Sequence, residues 1–237
     1  MYTDFMRLVV SHVSVNSVPD VNVVAVGGVS DLVGLPWFSY VNDGNIGIGF
    51  SVQDSDAGEV LVVDINYSTE PVQGTGVPIV EGLVLGEGVC EDVNFQDSTE
   101  CGWDWNTSGV PDGNYYVLVL VKDSYSEWDL NVVDNVLGLD STAPTGLVIG
   151  LPAPTRGPTG VVSFSATDAT SGVKNYWVSV NGKPFENVGL DTNYAVSCDS
   201  PRVLFAFKAT DFADNNSAVE SVSFSCLTGG VGASPYC

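Results

Sequence analysis

Closely spaced aspartates are the residues of this sequence most suited to chemistry. In "DSDAG", which begins at Asp54, two carboxylates alternate with small residues and could converge on one hard cation such as Ca²⁺. An EF-hand would place Glu at the twelfth position of this loop, but the sequence has Ile65 there. The pattern therefore predicts either a calcium site outside the EF-hand class or a tight turn.

A second acidic stretch, "DFADNNS", begins at Asp211 and offers carboxylate and amide oxygens. Asp and Asn also favour turns, because their side chains hydrogen-bond the backbone two residues further on. We interpret both stretches as turns, and we predict no metal and no cofactor. The residues kept as calcium candidates are Asp54, Asp56, Asp211 and Asp214.

Catalysis by hydrolases needs a nucleophile with a base and an orienting acid, or two opposed carboxylates. The chain has one histidine, His12, in a run where polar and apolar residues alternate. Such alternation favours a solvated or partner-facing strand, and the sequence lacks the motifs of serine hydrolases, zinc proteases and P-loop enzymes. We predict that the protein is not an enzyme.

Trp103 and Trp105 stand two residues apart, so an extended strand would direct both to one face. If exposed, the pair could form a stacking platform for sugar rings. If buried, the pair belongs to the core. Because large aromatic side chains in sandwiches are mostly buried, we favour the core and keep both residues as ligand candidates.

The five cysteines lack the C-x-x-C spacing of zinc and thioredoxin-like sites. Cys90 and Cys101 flank a short acidic loop, which suits a loop-closing disulfide, and Cys198 and Cys226 would bracket two strands. These pairs would indicate an oxidising compartment outside the cytosol, whereas the alternative is five free thiols. Cys237 then remains for a bond between subunits or for a swapped pairing.

Acidic residues outnumber basic residues 29 to 7, which gives a formal net charge of −22. Phosphate would be repelled, so we exclude nucleic acid as a partner. No apolar run is long enough to predict a membrane span, and the N-terminus lacks the pattern of a signal peptide. If the chain is secreted, we expect a mature or truncated form, with glycosylation candidates at Asn66, Asn106 and Asn215.

Short runs rich in valine, isoleucine and aromatic residues alternate with polar residues along the whole chain. Examples are "NIGIGFSVQD", "NYYVLVLVKD" and "RVLFAFKATD". Such strands, separated by Gly, Pro, Asn and Asp clusters, predict an all-β sandwich. No segment favours helices or βαβ units.

The two halves of the chain contain the same pattern. Residues 48–71, "IGFSVQDSDAGEVLVVDINYSTEP", align with residues 162–184, "VSFSATDATSGVKNYWVSVNGKP". Each copy has an alternating strand that ends in Asp, a Gly turn, a second strand and a turn that closes with Pro. The chain therefore contains a tandem β-repeat, with the boundary near Asp140 and a stiff connection, because few residues there lack strand character.

Three stretches carry a resemblance to a known family: "DSTAPTG", "ATDATSGV" and "ATDFADNNSA". They match the D-x-x-A-P, A-x-D-x-x-S-G-V and A-x-D-x-A-G-N-x-S patterns, except that Asp214 replaces the usual Gly. The second half thus resembles bacterial and archaeal immunoglobulin-like modules of surface proteins, and residues 40–140 resemble fibronectin type III modules through "VPDGNYYVLVLVKD". The resemblance implies two tandem immunoglobulin-like β-sandwiches outside the cell, but no particular activity.

Residues 7–26, "RLVVSHVSVNSVPDVNVVAV", lie outside both repeats and are long enough for two strands. An unpaired strand of this length would promote aggregation, so it pairs in its own module or in a neighbouring subunit. We favour a donor strand in a neighbour, which generates a head-to-tail fibre. The donor-strand candidates are Leu8, Val10, Val13, Val15, Val21 and Val23.

These patterns give four predicted parts: an N-terminal strand segment (1–35), a sandwich with the Cys90–Cys101 loop (36–140), a second sandwich (141–228) and a tail (229–237). The preferred function is a structural subunit of an extracellular filament, similar in architecture to pili and archaeal threads. Its partners would be copies of itself and a host or neighbouring cell surface. The alternatives are a non-polymerising adhesin or spacer and a carbohydrate-binding accessory module.

Overall fold

The structure, a computed structural model, describes residues 16–26, 29–30, 39–42, 44–56, 58–86, 88–90, 95–132, 136–151 and 159–225. These residues form seventeen β-strands and no helix, which confirms the all-β prediction. It follows that the described part of the chain has no helix long and apolar enough to cross a membrane.

The described residues divide into two compact units. Unit 1 contains the described parts of Met1–Gly34, Gly47–Trp105 and Tyr116–Asp134, and unit 2 contains those of Leu35–Ile46, Asn106–Tyr115 and Asn135–Cys237. The module boundary predicted near Asp140 therefore lies inside unit 2.

The strands of the first half of the chain are β1 (Asp20–Val26), β2 (Val29–Ser30), β3 (Ser39–Val41), β4 (Asn45–Gln53), β5 (Val62–Ser68), β6 (Val77–Val84), β7 (Thr99–Asn106), β8 (Gly113–Lys122), β9 (Trp128–Val132) and β10 (Leu137–Leu139).

The first sheet of unit 1 has the order β2-β1-β4-β7. β1 and β4 are antiparallel, with Val21 opposite Val52 and Val23 opposite Phe50. Alternate residues of both strands are buried, as the period-two pattern requires. Burial of each large aliphatic or aromatic side chain contributes about 1.5–3 kcal/mol, so this face stabilises the unit.

The second sheet of unit 1 is built around β8, which pairs with β5 and β9, while β6 lies beyond β5. Val117, Val119 and Val121 of β8 are buried on one face. The two sheets meet where Trp105 of β7 stacks on Tyr67 of β5, with ring centroids 5.0 Å apart. Unit 1 is therefore a two-layer β-structure with an apolar interior.

β1 is a resident strand of unit 1. Besides its pairing with β4, its backbone amides at Val21 and Val23 donate to Asp129 Oδ2 at 3.0 Å and to Asn131 Oδ1 at 3.2 Å in β9. These side chains cap N–H groups that an added strand would otherwise use. For Val21 and Val23 the structure therefore differs from the donor-strand prediction. The remaining candidates, Leu8, Val10, Val13 and Val15, lie outside the described residues.

Unit 2 begins with a short three-strand arrangement. β10 runs parallel to β3 and antiparallel to Gly113–Tyr115, the first residues of β8. The buried Tyr115 donates its hydroxyl to the carbonyl oxygen of Pro111 at 2.8 Å. This bond is the tyrosine corner seen in Greek-key β-sandwiches, and it explains why "VPDGNYY" resembles such modules.

The rest of unit 2 contains two sheets. Its strands are β11 (Thr145–Gly150), β12 (Thr159–Thr167), β13 (Val173–Val180), β14 (Glu186–Gly189), β15 (Asn193–Ser197), β16 (Arg202–Asp211) and β17 (Glu220–Ser225). The sheet orders are β11-β12-β15 and β14-β13-β16-β17. The order β1-β4-β7 in the first half of the chain has a counterpart in β11-β12-β15, and the order β6-β5-β8 has one in β14-β13-β16.

Aromatic side chains from both of these sheets form the core of unit 2. The ring centroid of Phe164 lies 5.4 Å from Tyr176, 5.7 Å from Phe205 and 5.2 Å from Phe207. All four rings are buried in one apolar cluster, together with Cys198. Tyr176, Phe205 and Phe207 are therefore core residues, and the acidic loops at the strand ends are the parts available for other roles.

Candidate functional site

Three carboxylates of unit 1 come together in its loops. Asp54 directly follows β4, Asp123 directly follows β8, and Glu59 lies between β4 and β5. One oxygen of each side chain lies within 4.8 Å of the others. We call Asp54, Glu59 and Asp123 the first acidic cluster.

Local turns hold two of these carboxylates in place. Asp54 Oδ1 accepts a hydrogen bond from the backbone N of Asp56 at 2.9 Å. Asp123 Oδ1 accepts from the backbone N of Tyr125 at 2.8 Å and of Glu127 at 2.9 Å. Both aspartates are buried, so these turns bring two charged groups into the protein interior.

The segment that precedes β1, residues 16–19, binds both of these loops, and we call it the approach segment. Asn16 Nδ2 donates to Asp123 Oδ2 at 2.6 Å. Ser17 Oγ donates to Asp54 Oδ1 at 3.2 Å and to Asp56 Oδ2 at 2.7 Å. The approach segment is thereby attached to the first acidic cluster through side-chain contacts from two of its residues.

The charges of the first acidic cluster influence one another. Burial raises the pKa of Glu59, the hydrogen bond from Ser124 opposes this, and the nearby carboxylates of Asp123 and Asp54 raise it further. Asp56 lies beside the cluster, and hydrogen bonds from the backbone and side chain of Ser17 lower its pKa. The arrangement therefore concentrates negative charge that the protein itself only partly compensates.

Unit 2 contains a second group of three carboxylates, again within 4.8 Å of one another. Asp140 directly follows β10, Asp168 directly follows β12, and Asp211 is the last residue of β16. Asp140 and Asp211 are buried. We call Asp140, Asp168 and Asp211 the second acidic cluster.

Protein donors bind every member of the second acidic cluster. Asp140 accepts from the backbone N of Thr142 at 3.1 Å and of Ser171 at 3.0 Å. Asp211 uses both of its oxygens, because Oδ1 accepts from the backbone N of Asn215 at 2.8 Å and Oδ2 from its Nδ2 at 3.0 Å. This cluster is therefore built as a network of turns.

Asp168 completes that network by accepting from the backbone N of Thr170 at 3.2 Å and of Gly172 at 2.6 Å. Burial raises the pKa of Asp211, the bonds from Asn215 lower it, and the charges of Asp140 and Asp168 raise it again, with a net rise. The pKa of Asp211 therefore reflects the same crowding of carboxylates that the first acidic cluster has.

The two acidic clusters occupy equivalent positions of the sequence repeat. In the alignment of residues 48–71 with 162–184, Asp54 corresponds to Asp168, and Asp123 corresponds to Asp211 at the ends of β8 and β16. The metal candidates from the sequence included only one aspartate of each cluster, Asp54 and Asp211. The missed signal was that each repeat ends two alternating strands with Asp, since loops at the same end of a sandwich lie close together.

The other two calcium candidates have different surroundings. Asp56 binds Ser17, as described above. Asp214 pairs with Lys174, with 2.7 Å between Oδ1 and Nζ, and it has a φ of 64°. The positive φ explains why the related modules usually have Gly at this position, and Asp tolerates this conformation better than most residues. Asp214 is thus a turn residue on the surface.

Trp103 and Trp105 both belong to β7 and lie on its inward face. Trp105 is buried against Tyr67, whereas Trp103 is half-buried and lines a groove of about 350 Å³ with Ala25, Gly47 and Asp104. A flat platform needs two exposed rings on the same face. The structure therefore differs from the platform alternative and agrees with the core interpretation for Trp105.

The predicted Cys90–Cys101 disulfide is present, with the sulfur atoms 2.06 Å apart. Cys198 is buried and is also disulfide-bonded. Cys226 and Cys237 lie outside the described residues, as does His12.

The three glycosylation candidates differ in their contacts. Asn66 is half-buried in β5. Asn106 is exposed, although its Oδ1 accepts from the backbone N of Ser108 at 2.9 Å. Asn215 uses its Nδ2, the atom to which a glycan would be attached, for hydrogen bonds to Asp211 and to the carbonyl oxygen of Asp140. Asn106 is therefore the most accessible of the three.

No protein-family model matches the chain, and no curated protein matches it. Among solved structures, it is similar to fibronectin(III)-like modules of CbhA from Clostridium thermocellum, with 14% identity over 92% of this chain and 100% of that chain, at a TM-score of 0.36. It is also similar to dimeric latent PorU from Porphyromonas gingivalis, with 11% identity over 91% of this chain and 24% of that chain, at a TM-score of 0.31.

Proposed function

We propose that the protein is a non-enzymatic structural component of the cell surface or of an extracellular assembly, in which tandem immunoglobulin-like β-sandwiches act as a stiff spacer. The observation that carries this proposal is the linker, residues 140–142, which joins the two sequence repeats. Nearly every polar group of the linker has a partner in unit 2. A connection of this kind supports a mechanical role, because flexible linkers lack such contacts.

On one side, the linker is bound by Asp112 in the loop that precedes β8. Asp112 Oδ1 accepts from the backbone N of Ser141 at 2.8 Å and from its Oγ at 2.9 Å, and Oδ2 accepts from Thr142 Oγ1. Burial alone would raise the pKa of Asp112, but the hydrogen bonds from Thr142 and Ser141 lower it overall. Asp112 therefore stays ionised and holds the linker through charge-assisted hydrogen bonds.

On the other side, the linker is bound by the loops of the second repeat. The carbonyl oxygen of Asp140 accepts from Asn215 Nδ2 at 2.8 Å, and its carboxylate accepts from the backbone N of Ser171 at 3.0 Å. From the first sequence repeat, the carbonyl oxygen of Val41 in β3 also accepts from the backbone N of Asp140 at 3.0 Å. Contacts on both sides of three consecutive residues support the view that this segment resists bending.

The disulfides support a location outside the cytosol. Cys90 and Cys101 are bonded across a short loop, and Cys198 is bonded as well. Disulfides of this kind persist in oxidising compartments and are rare in the cytosol. A high density of negative charge would also keep such a chain soluble on a surface.

The filament form of the proposal depends on the residues that precede the approach segment. Because β1 is paired within unit 1, a donor strand would have to come from residues 1–15, which include Leu8, Val10, Val13 and Val15. Main-chain pairing of such a segment with a neighbour would give a head-to-tail fibre. Without it, the same modules would serve as a spacer or adhesin in a monomeric chain.

Two deletions distinguish these forms. Removal of residues 1–15 should leave folded chains, because the approach segment and β1 remain. Removal of residues 1–26 should unfold unit 1, because it deletes the buried side chains of β1 and exposes the backbone edge of β4. Circular dichroism reports folding, and negative-stain electron microscopy reports assembly.

If the full chain forms fibres and the 1–15 deletion forms only particles, the donor-strand form is supported. If both chains form only particles at every concentration, the filament form is contradicted and the monomeric spacer form of the proposal remains. A folded chain after removal of residues 1–26 would contradict the assignment of β1 to unit 1, on which this division rests.

A further inference from the structure

Two oxygen atoms beside the first acidic cluster have no hydrogen-bond partner within the described part of the chain. They are Asp54 Oδ2 and Asn16 Oδ1, and both are shielded from solvent. Asp54 is only 2% exposed, so water reaches its carboxylate poorly. A buried acceptor without a partner costs about 1–3 kcal/mol, and more when it is charged, so this arrangement calls for a partner.

Both atoms can only accept. A carboxylate oxygen has no proton to donate at neutral pH, and an amide oxygen is an acceptor in every state. The orientation of the Asn16 amide follows from its contacts, because its Nδ2 donates to Asp123 Oδ2 at 2.6 Å and to the carbonyl oxygen of Ser17 at 3.3 Å. The missing partner must therefore be a donor or a cation.

The charge of the site favours a cation. Asp54, Glu59 and Asp123 place three carboxylates within 4.8 Å of one another. In the described part of the chain, the salt bridges are Lys122–Asp64 and Lys174–Asp214, and neither involves this cluster. Since three neighbouring carboxylates repel one another strongly, a divalent ion would both neutralise the charge and satisfy the free oxygens.

We propose that Asp54, Glu59 and Asp123, with the amide oxygen of Asn16, bind a Ca²⁺ ion. Calcium takes six to eight oxygen ligands at about 2.3–2.6 Å, so two ligands on opposite sides of the ion lie about 4.6–5.2 Å apart. The carboxylate oxygens lie within 4.8 Å of one another, so one ion of this size can contact all three. Mg²⁺ fits less well, because it usually keeps several waters and uses only one or two carboxylates.

The second acidic cluster provides an internal comparison. Its buried carboxylates, Asp140 and Asp211, accept hydrogen bonds on both oxygens from Thr142, Ser171 and Asn215. In the first acidic cluster Asp123 also accepts on both oxygens, but the buried Asp54 keeps its Oδ2 without a partner. This free oxygen distinguishes the two clusters, and it is the reason for placing the ion in unit 1.

Binding of Ca²⁺ would connect the approach segment to the loops after β4 and β8, because the ligands come from all three. The ion would fix the point where the chain enters β1. This inference does not depend on the proposed function, since a calcium site of this kind can exist in any extracellular β-module.

Isothermal titration calorimetry of the full chain, freed of metal with a chelator, tests the proposal with Ca²⁺ as the probe. We expect binding with a dissociation constant at or below about 1 mM, the range of extracellular calcium modules. Asp54→Asn keeps the shape of the side chain and should weaken binding at least about tenfold, because it removes one ligand charge. Asp168→Asn, at the equivalent position of the second cluster, should bind with unchanged affinity.

Three results would overturn the proposal: no heat at up to about 10 mM Ca²⁺, ten times the upper limit for such modules; unchanged affinity in Asp54→Asn; or loss of binding in Asp168→Asn. Equal or tighter binding of Mg²⁺ would overturn the assignment to calcium. If Asp54→Asn does not fold, Glu59→Gln decides, because Glu59 is only half-buried and its removal leaves the turns after β4 and β8 intact.

Discussion

The side-chain Nδ2 of Asn215 lies 2.8 Å from the carbonyl oxygen of Asp140 and 3.0 Å from Oδ2 of Asp211. One amide group therefore joins the linker to the loop after β16, 75 residues later in the chain. The same amide also stabilises one of the three neighbouring carboxylates of the second acidic cluster, because it donates a hydrogen bond to Asp211. Asn215 lies in a glycosylation triplet, but its contacts make it a structural residue.

Asn215→Ala should destabilise unit 2 by about 1–3 kcal/mol, because it leaves a buried carboxylate oxygen of Asp211 and the Asp140 carbonyl without donors. Urea unfolding followed by fluorescence measures the change. Asn193→Ala is the matched control, since Asn193 is exposed and should change stability by no more than about 0.5 kcal/mol. Equal stability of the two variants would contradict the structural role of Asn215.

The bonds from Asp112 to the linker should depend on pH. The pKa of Asp112 is lower in the folded chain than in the unfolded chain, so the ionised carboxylate stabilises the fold above its ordinary pKa. That contribution is lost as the pH falls from about 3.9 through the lowered folded value. Acidic pH therefore weakens the hydrogen bonds between Asp112 and the linker.

Asp112→Asn isolates this contribution. The variant should be about 1–3 kcal/mol less stable than the wild type at pH 7, and the difference should shrink as the pH falls below about 3.9 and the wild-type carboxyl takes up its proton. Urea unfolding at a series of pH values gives the comparison. A difference that stays constant over this range would show that the charge of Asp112 has no role.

The two tryptophans of β7 should respond differently to truncation. Trp105→Ala removes a buried ring stacked on Tyr67 and should cost about 3–5 kcal/mol. Trp103→Ala should cost clearly less, because its ring is only half-buried. A loss of stability for Trp103→Ala as large as that for Trp105→Ala would contradict this difference, and loss of glycan-array binding in a folded Trp103→Ala variant would support the ligand interpretation.

The Cys90–Cys101 disulfide should contribute about 2–4 kcal/mol, as expected for a loop of 11 residues. The double variant Cys90→Ala, Cys101→Ala tests this by urea unfolding. Reductant should then lower the unfolding midpoint of the variant less than that of the wild type, since only the disulfide bond of Cys198 remains among the described cysteines. An unchanged unfolding midpoint in the double variant would contradict the contribution.

Strand content and the position of the core could be predicted from the sequence because period-two alternation directly reflects burial. Phe50 and Phe205 stand in strongly alternating runs and are fully buried. The pattern of β1 shows that Val21 and Val23 need a partner strand, but it cannot show that β4 of the same chain supplies it.

The acidic clusters could be predicted only in part. Local spacing identified Asp54 because Asp56 follows it closely, yet the true neighbours of Asp54 are Glu59 and Asp123. Asp123 is distant in sequence and reaches the cluster only because β8 and β4 end close together. Contacts that depend on sheet topology leave no local pattern, and the same applies to the bonds between Asp112 and Ser141.

The rigidity of the linker can be measured by ¹⁵N relaxation of the backbone amides of Ser141 and Thr142. Both amides donate hydrogen bonds, the first to Asp112 and the second to Asp140. We predict order parameters of about 0.85 for both, as in the neighbouring strand β10, and a decrease in Asp112→Asn. Order parameters below about 0.6 in the wild-type chain would contradict a stiff connection and the structural role proposed from it.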